Sequence, residues 1–121
     1  MIMLLSEGSK PTIIIHVNEK FGGSNILNQI CYGIEEEGIP YEVIKVNDNN
    51  HIAMAYEACQ NSRLGVGIGI TEGYAALHYE KLQADCPLFN ISTHEDIKKI
   101  RSIGTNGARL VKRMPFNILL E

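Results

Sequence analysis

Apolar and polar positions along this chain fall into blocks whose period switches between about two and about 3.6, and the switches mark the elements. Thr12 to Val17 is a continuous apolar run built on Ile13-Ile14-Ile15, with Pro11 just ahead of it. Such a run predicts a strand buried on both faces of a parallel sheet. The loop Asn18 to Gly23 follows, and Ser24 or Asn25 is placed to cap a helix. That helix ends at Gly38, which suits a left-handed C-terminal cap, and Pro40 prevents its continuation. Tyr41 to Val46 predicts a second strand, made wetter by Glu42 and Lys45 and therefore placed at a sheet edge. Asn47-Asp48-Asn49-Asn50 is a turn and cap signal before a second helix, His51 to Ser62, with an alanine-rich face.

Gly65-Val66-Gly67-Ile68-Gly69-Ile70 predicts a third strand with glycines on one face and branched residues on the other, since strand side chains alternate. The glycine face would admit a helix or a partner backbone. Thr71-Glu72-Gly73 reads as a tight turn with Gly73 free to adopt positive φ. Tyr74 to Tyr79 is then the returning, antiparallel strand, a helix being the competing assignment. After a polar connection, Pro87 to Ile91 is a short fifth strand. Thr93 with Asp96 resembles a capping box for a helix that runs to about Ile103 and stops at Gly104. Thr105-Asn106-Gly107 restarts a short basic helix, Ala108 to Arg113, ended by Pro115. The order strand-helix-strand-helix-hairpin-strand-helix gives a three-layer α/β domain with a mostly parallel sheet. We expect residues 1–11 to be a flexible N-terminus and residues 12–121 to be a single α/β domain.

The wheel of the first helix carries the most chemistry. At roughly 100° per residue, Ile26, Leu27, Ile30, Cys31 and Ile34 share an apolar stripe, and Asn25, Gln29, Tyr32, Gly33 and Glu36 fall opposite. Three consecutive carboxylates, Glu35-Glu36-Glu37, occupy its last turn. That is the unfavourable end of the helix macrodipole, where each exposed negative charge costs about 0.3–1 kcal/mol. A metal ion or a basic side chain would relieve this, and a partner could supply it. Gly33 costs about 1 kcal/mol relative to alanine inside a helix, and close approach by another backbone is one reason to keep it. A solvated helix end is the plainer explanation of the same residues.

Composition narrows the class. The 121 residues are 45% hydrophobic and 21% charged with a net charge of −3, ordinary for one globular domain and without general attraction to nucleic acid or an anionic membrane. The charge is uneven: residues 93–121 carry Lys98, Lys99, Arg101, Arg109, Lys112 and Arg113 against Glu95, Asp96 and Glu121, so they are basic while the remainder is acidic. Cys31, Cys59 and Cys86 show no Cys-x-x-Cys spacing, which fits a reducing compartment. Met-Ile-Met-Leu-Leu is too short for a signal core or a membrane span, so a cytoplasmic protein is expected.

Catalytic patterns are weak. Gly65-x-Gly67 lies on a strand rather than after one and lacks the third glycine of a dinucleotide fingerprint. No phosphate-binding Gly-x-x-x-x-Gly-Lys-Ser/Thr loop is present, although Phe21-Gly22-Gly23-Ser24 before a helix could hold an anion. His16, His51, His78 and His94 have no metal-ligand spacing; His16 closes the first strand, where open α/β sheets place ligands.

Several stretches together resemble the small subunit of the diol dehydratase and glycerol dehydratase reactivating factors. They are Gly33-Ile34-Glu35-Glu36-Glu37-Gly38-Ile39-Pro40, Gly65-Val66-Gly67-Ile68, His78-Tyr79 with Leu82, Pro87-Leu88-Phe89, and Arg101 with Gly104 to Lys112 and Pro115-Phe116. The likeness spans roughly residues 33 to 116; Arg113-Met114 departs from it, because the family usually has glycine after that lysine. The resemblance implies an α/β/α sandwich with a five-stranded mixed sheet in order 2-1-3-4-5 and the fourth strand antiparallel, a fold shared with the dehydratase medium subunit. It implies a non-catalytic subunit of a chaperone-like complex of two large and two small subunits, with ATP hydrolysed on the large one. That complex frees the dehydratase of damaged cobalamin so that adenosylcobalamin can replace it. The small subunit would act by subunit exchange, transiently meeting the dehydratase large subunit.

By the same resemblance, Glu36 reaches a divalent metal, Mg²⁺ or Ca²⁺, shared with the large subunit. Gln29, Tyr32 and Gly33 would lie with it in the interface, while Arg109 and Lys112 are structural first, holding carbonyls or carboxylates near helix ends, and interface residues second. No cofactor is expected on this chain alone. The resemblance leaves open glycerol or propane-1,2-diol as the substrate system, and free cytoplasm or a bacterial microcompartment as the location. The alternatives are a divergent dehydratase medium subunit, which is generally longer at its N-terminus, and a small α/β ligand-binding protein using His16 and the loop 18–24.

Overall fold

The computed structural model describes residues 10–117. The segment 1–11 expected to be flexible therefore falls largely outside the described residues. Eight elements follow in order: β1 (Ile13–Asn18), α1 (Asn25–Glu36), β2 (Tyr41–Val46), α2 (His51–Asn61), β3 (Val66–Ile70), β4 (Tyr74–Tyr79), β5 (Phe89–Ser92) and α3 (Ile97–Lys112), with a short 3-10 turn at Glu19–Phe21. The five strands form one sheet in the order β2-β1-β3-β4-β5. β1 pairs in parallel with β2 and β3, and β4 is antiparallel to both of its neighbours.

β1 is buried along all six residues, as a central strand covered on both faces must be. Its two faces differ. Ile13, Ile15 and Val17 join Val66, Ile68 and Ile70 and the apolar residues of α1 and α3 in the main core. The opposite face of β3 presents Gly67 and Gly69, where side chains would collide with the backbone of α2: a Cβ on either would lie 2.6 Å from a main-chain atom of Ala55. The absence of side chains lets α2 lie directly on the sheet. β2 sits at the edge, with Val43 and Ile44 both exposed.

Three local expectations are corrected. α3 is one continuous helix, not two helices broken at Gly104 to Gly107. Both glycines are buried within it; Gly104 lies against α1, and a Cβ on Gly107 would meet the Leu77 side chain at 3.2 Å. Its cap is Asp96, whose Oδ1 accepts from Lys98 N at 2.8 Å; Thr93 instead donates its hydroxyl to the Glu72 carbonyl. In the β3–β4 turn the closure is Thr71 N to Tyr74 O at 2.9 Å, and Gly73 does not take positive φ.

Candidate functional site

The negative end of α1 is where the chemistry concentrates. Ser24 caps the helix by accepting from Leu27 N, and Leu27, Ile30, Cys31 and Ile34 bury its inner face. Glu37 is the C-cap and Gly38 follows at φ 78°, its N–H donating to Glu35 O at 3.0 Å. The three carboxylates thus project from the last turn and its cap, against the macrodipole.

Each of them meets a donor from within the chain. Tyr41 donates its hydroxyl to Glu35, and that bond to a carboxylate pushes the phenol pKa up, with burial adding to it. Glu37, only 15% exposed, accepts from Lys112 Nζ at 2.7 Å and from Arg109 Nε and Nη2 at 3.3 Å. Lys112 Nζ also donates to the Glu37 carbonyl at 2.9 Å, closing the helix end. The Lys112 hydrogen bond holds the Glu37 carboxyl below its usual range; desolvation opposes this and Arg109 reinforces it. Glu36 differs. It is 57% exposed, and Arg101 Nη1 stands 3.5 Å from it, an ion pair without a short hydrogen bond.

Arg101 is held from its other side. Its Nε and Nη2 donate to Gln29 Oε1 at 3.1 and 2.7 Å. Gln29 and Glu36 are therefore tied through one guanidinium on the outer flank of α1, beside Tyr32, whose ring is 46% exposed. Gly33 is corrected out of this surface. It is buried, and a Cβ there would collide with Arg101 O and lie 2.8–2.9 Å from Thr105 N and Oγ1, so the backbone that approaches it is α3 of the same chain. A cavity of about 330 Å³ opens between the two helices, walled by Glu36, Lys98, Arg101, Thr105 and Arg109.

Among the described residues no three His, Cys, Asp or Glu side chains cluster to hold a metal. Hard divalent cations take six to eight oxygen ligands (Ca²⁺) or an octahedron of them (Mg²⁺). Glu36 fits as one oxygen donor of such a shell, because its carboxylate is exposed and already faces a cation in the guanidinium of Arg101. The remaining ligands would have to come from elsewhere.

The residues of the ligand-binding alternative do not meet. His16 is 4% exposed beneath α2, with Nδ1 3.9 Å from Glu57 Oε1 and no hydrogen bond; burial pushes its pKa down and Glu57 opposes this. The cavity at the mouth of β1 is lined by Asn18, Lys20, Phe21, Asn49 and Glu72, without His16. The amide of Asn18 is engaged there by Asp48 O, Asn49 Oδ1 and Lys20 N. His78 is structural: Nδ1 accepts from Tyr79 N and Nε2 donates to Ala84 O, which anchors the β4–β5 connection.

Arg101 is the residue whose role sequence reasoning missed. The signal was present as Arg101, Thr105, Arg109 and Lys112, spaced as one helix face, but it is visible only once α3 is continuous through Gly104.

Residues 10–117 match the family described as dehydratase medium subunit. The chain is 37% identical over 111 residues to the diol dehydratase-reactivating factor small subunit of Klebsiella michiganensis, covering 92% of this chain and 87% of that protein. It is 36% identical over 114 residues to the propanediol dehydratase-reactivating factor small subunit of Salmonella typhimurium, covering 94% and 97%. Among solved structures, a chain of the diol dehydratase-reactivating factor complexed with ADP and Mg²⁺ matches with a TM-score of 0.84 at 37% identity, over 90% of this chain and 99% of that one. A chain of glycerol dehydratase reactivase matches with a TM-score of 0.84 at 29% identity, over 89% and 97%.

Proposed function

The chain belongs to the family of small subunits of the diol and glycerol dehydratase reactivating factors, and on that premise we propose that it is the non-catalytic subunit of an ATP-dependent, chaperone-like reactivating complex. Two copies assemble with two large subunits, which carry the ATPase. The complex releases damaged cobalamin from the inactivated dehydratase so that intact adenosylcobalamin can enter. This chain takes part by subunit exchange, standing in for the dehydratase medium subunit and meeting the dehydratase large subunit transiently. The match of residues 10–117 to a family described by that medium subunit supports the exchange, because a shared fold is what standing in requires. The site of action is the cytoplasm, free or inside a microcompartment; no described helix is long and apolar enough to cross a membrane.

The observation that carries the partner surface is the exposed Glu36 carboxylate at the negative end of α1, flanked by exposed Tyr32. Gln29, Tyr32 and Glu36 face the large subunit, and Glu36 reaches a divalent metal, Mg²⁺ or Ca²⁺, whose other ligands the partner provides. The metal would supply charge neutralisation across the interface. Arg109 and Lys112 act on Glu37 and keep the helix end in shape.

The test is co-expression with the large reactivase subunit, followed by size-exclusion with light scattering with and without a chelator. A complex of two plus two chains, loosened by the chelator in wild type but not further in Glu36→Gln, is the expected result. A complex indifferent to chelator removes the metal, and no complex removes the partner.

A further inference from the structure

We propose that Arg101 is a placeholder for the divalent cation at Glu36: it occupies that carboxylate in the free subunit, yields it when cation and large subunit arrive, and stays seated on Gln29 throughout. The inference rests on the reading of Glu36 as a metal-reaching residue.

The guanidinium is shared unequally. Two of its nitrogens make hydrogen bonds of 3.1 and 2.7 Å to the neutral Gln29 oxygen, while Nη1 stands 3.5 Å from the Glu36 carboxylate. The anchor is therefore the amide, and the carboxylate can be surrendered without moving the side chain. Both members of the ion pair are substantially exposed, so the pair is weak and readily traded. A divalent ion brings twice the charge and bonds carboxylate oxygen directly.

The exchange has a second consequence. Arginine keeps its charge at every physiological pH, and Gln29 keeps it beside Glu36. It then opposes the incoming metal. Of the other charged groups around this cavity, Lys98 adds a positive charge, whereas Glu37 is already taken by both Arg109 and Lys112. With four cations (Lys98, Arg101, Arg109 and Lys112) against two carboxylates, the free subunit is a poor metal site, and metal joins only where the partner contributes carboxylates. Arg101 thus couples metal binding to assembly. It is a positioning residue, not a ligand.

The experiment titrates Mg²⁺, and separately Ca²⁺, into a mixture of this chain and the large subunit, reading assembly by light scattering. Removing a unit charge several ångströms from a divalent ion in largely aqueous surroundings lowers the half-saturating metal concentration by roughly three- to ten-fold. That is expected for Arg101→Met, with Arg101→Lys within about two-fold of wild type. Gln29→Met, which leaves the arginine charged but unanchored, is expected to fall between them, and it keeps the test open should Arg101→Met not fold. An unchanged midpoint in folded Arg101→Met and in Gln29→Met overturns the placeholder and leaves the metal reading intact, provided Glu36→Gln abolishes the metal dependence. Metal dependence that survives in Glu36→Gln overturns both. Loss of assembly by Arg101→Met at every metal concentration makes Arg101 a direct partner contact and also overturns the placeholder.

Discussion

Gly33 of α1 and Gly104 of α3 mark the crossing of the two helices, each seated against the other helix's main chain. A Cβ on Gly33 would run into the Arg101 carbonyl oxygen, and one on Gly104 into the Ile30 carbonyl oxygen. The crossing brings Arg101, Arg109 and Lys112 of α3 alongside the carboxylate end of α1. The geometry of the candidate interface therefore depends on two missing side chains.

Gly33→Ala and Gly104→Ala should each destabilise the fold. Alanine would gain about 1 kcal/mol of helix propensity, but overpacking against rigid backbone costs about 1–3 kcal/mol or more. Since the collisions are with carbonyl oxygens, the steric cost wins, with a net loss of about 1–2 kcal/mol and a fall in Tm of roughly 3–10 °C. Gly23→Ala, where nothing lies within 4 Å, is the control and should be near neutral. Thermal denaturation of the three variants decides it; an unchanged Tm for Gly104→Ala would show that the helices can part without cost.

These two glycines also show where the sequence misleads. Strands β1 to β4 were legible because apolar runs and the Thr71-Glu72-Gly73 turn are local signals, and the strand order came with the family resemblance. Gly104 and Gly107 carry the same local signature as a helix stop, and only packing distinguishes a spacer from a terminator. Gly33 was misplaced because a wheel assumes one buried face, whereas α1 is covered by both the sheet and α3 and buries a wider arc. The acidic run was legible as electrostatically misfit, but the in-chain cations lie 65 to 75 residues later, out of reach of any periodicity argument.

Glu37 organises the helix junction more than Glu36 does. Glu37→Gln leaves half-buried Arg109 and exposed Lys112 without their shared counter-charge on a carboxylate that is itself only 15% exposed, and charged hydrogen bonds of this kind contribute about 1–3 kcal/mol. Glu36→Gln loses a half-exposed pair contributing about 0–1 kcal/mol. Urea denaturation should therefore rank Glu37→Gln as clearly less stable than Glu36→Gln. The reverse order would contradict the division of roles between the two residues.

Stability should fall on acidification in two stages. His16 has its pKa lowered from 6.5, mainly by burial, so the unfolded chain binds a proton that the folded chain resists. Its contribution is complete above 6.5 and is lost as pH drops through the lowered folded value. Glu37 is lowered from 4.5, chiefly by Lys112, so its contribution is complete above 4.5 and is lost as pH falls further. Denaturation midpoints at pH 7.5, 5.5 and 4 should decline, and His16→Gln should flatten the first interval only. Identical slopes in wild type and His16→Gln between pH 7.5 and 5.5 would count against the buried neutral imidazole.

Arg113 ends α3 at φ 59°, ψ 40°, a left-handed conformation that costs a non-glycine residue roughly 1–2 kcal/mol. Arg113→Gly removes that strain. It gives up a few tenths of a kcal/mol of favourable charge at the helix C-terminus and adds backbone freedom to the unfolded chain. A net gain of about 0.5 kcal/mol is expected, seen as a Tm rise of roughly 1–3 °C. A lower Tm would mean that the Arg113 side chain makes a contact worth more than the backbone strain.

The proposed partner surface can be separated from general surface stickiness by comparing two aromatic residues. Tyr32 is 46% and Tyr74 53% exposed, so neither contributes much to the core, but Tyr32 lies beside Glu36 and Tyr74 stacks on His51 at the start of α2. A large aromatic residue in the centre of an interface contributes about 1–3 kcal/mol to binding. Tyr32→Ala should therefore weaken the affinity for the large reactivase subunit by roughly 5- to 100-fold with little change in Tm. Tyr74→Ala should leave that affinity within about two-fold of wild type. Equal losses in the two variants would mean that the partner does not single out the α1 flank. A loss confined to Tyr74→Ala would move the interface to the opposite face of the sheet, where α2 lies, and Glu36 would revert to a solvated carboxylate held by Arg101.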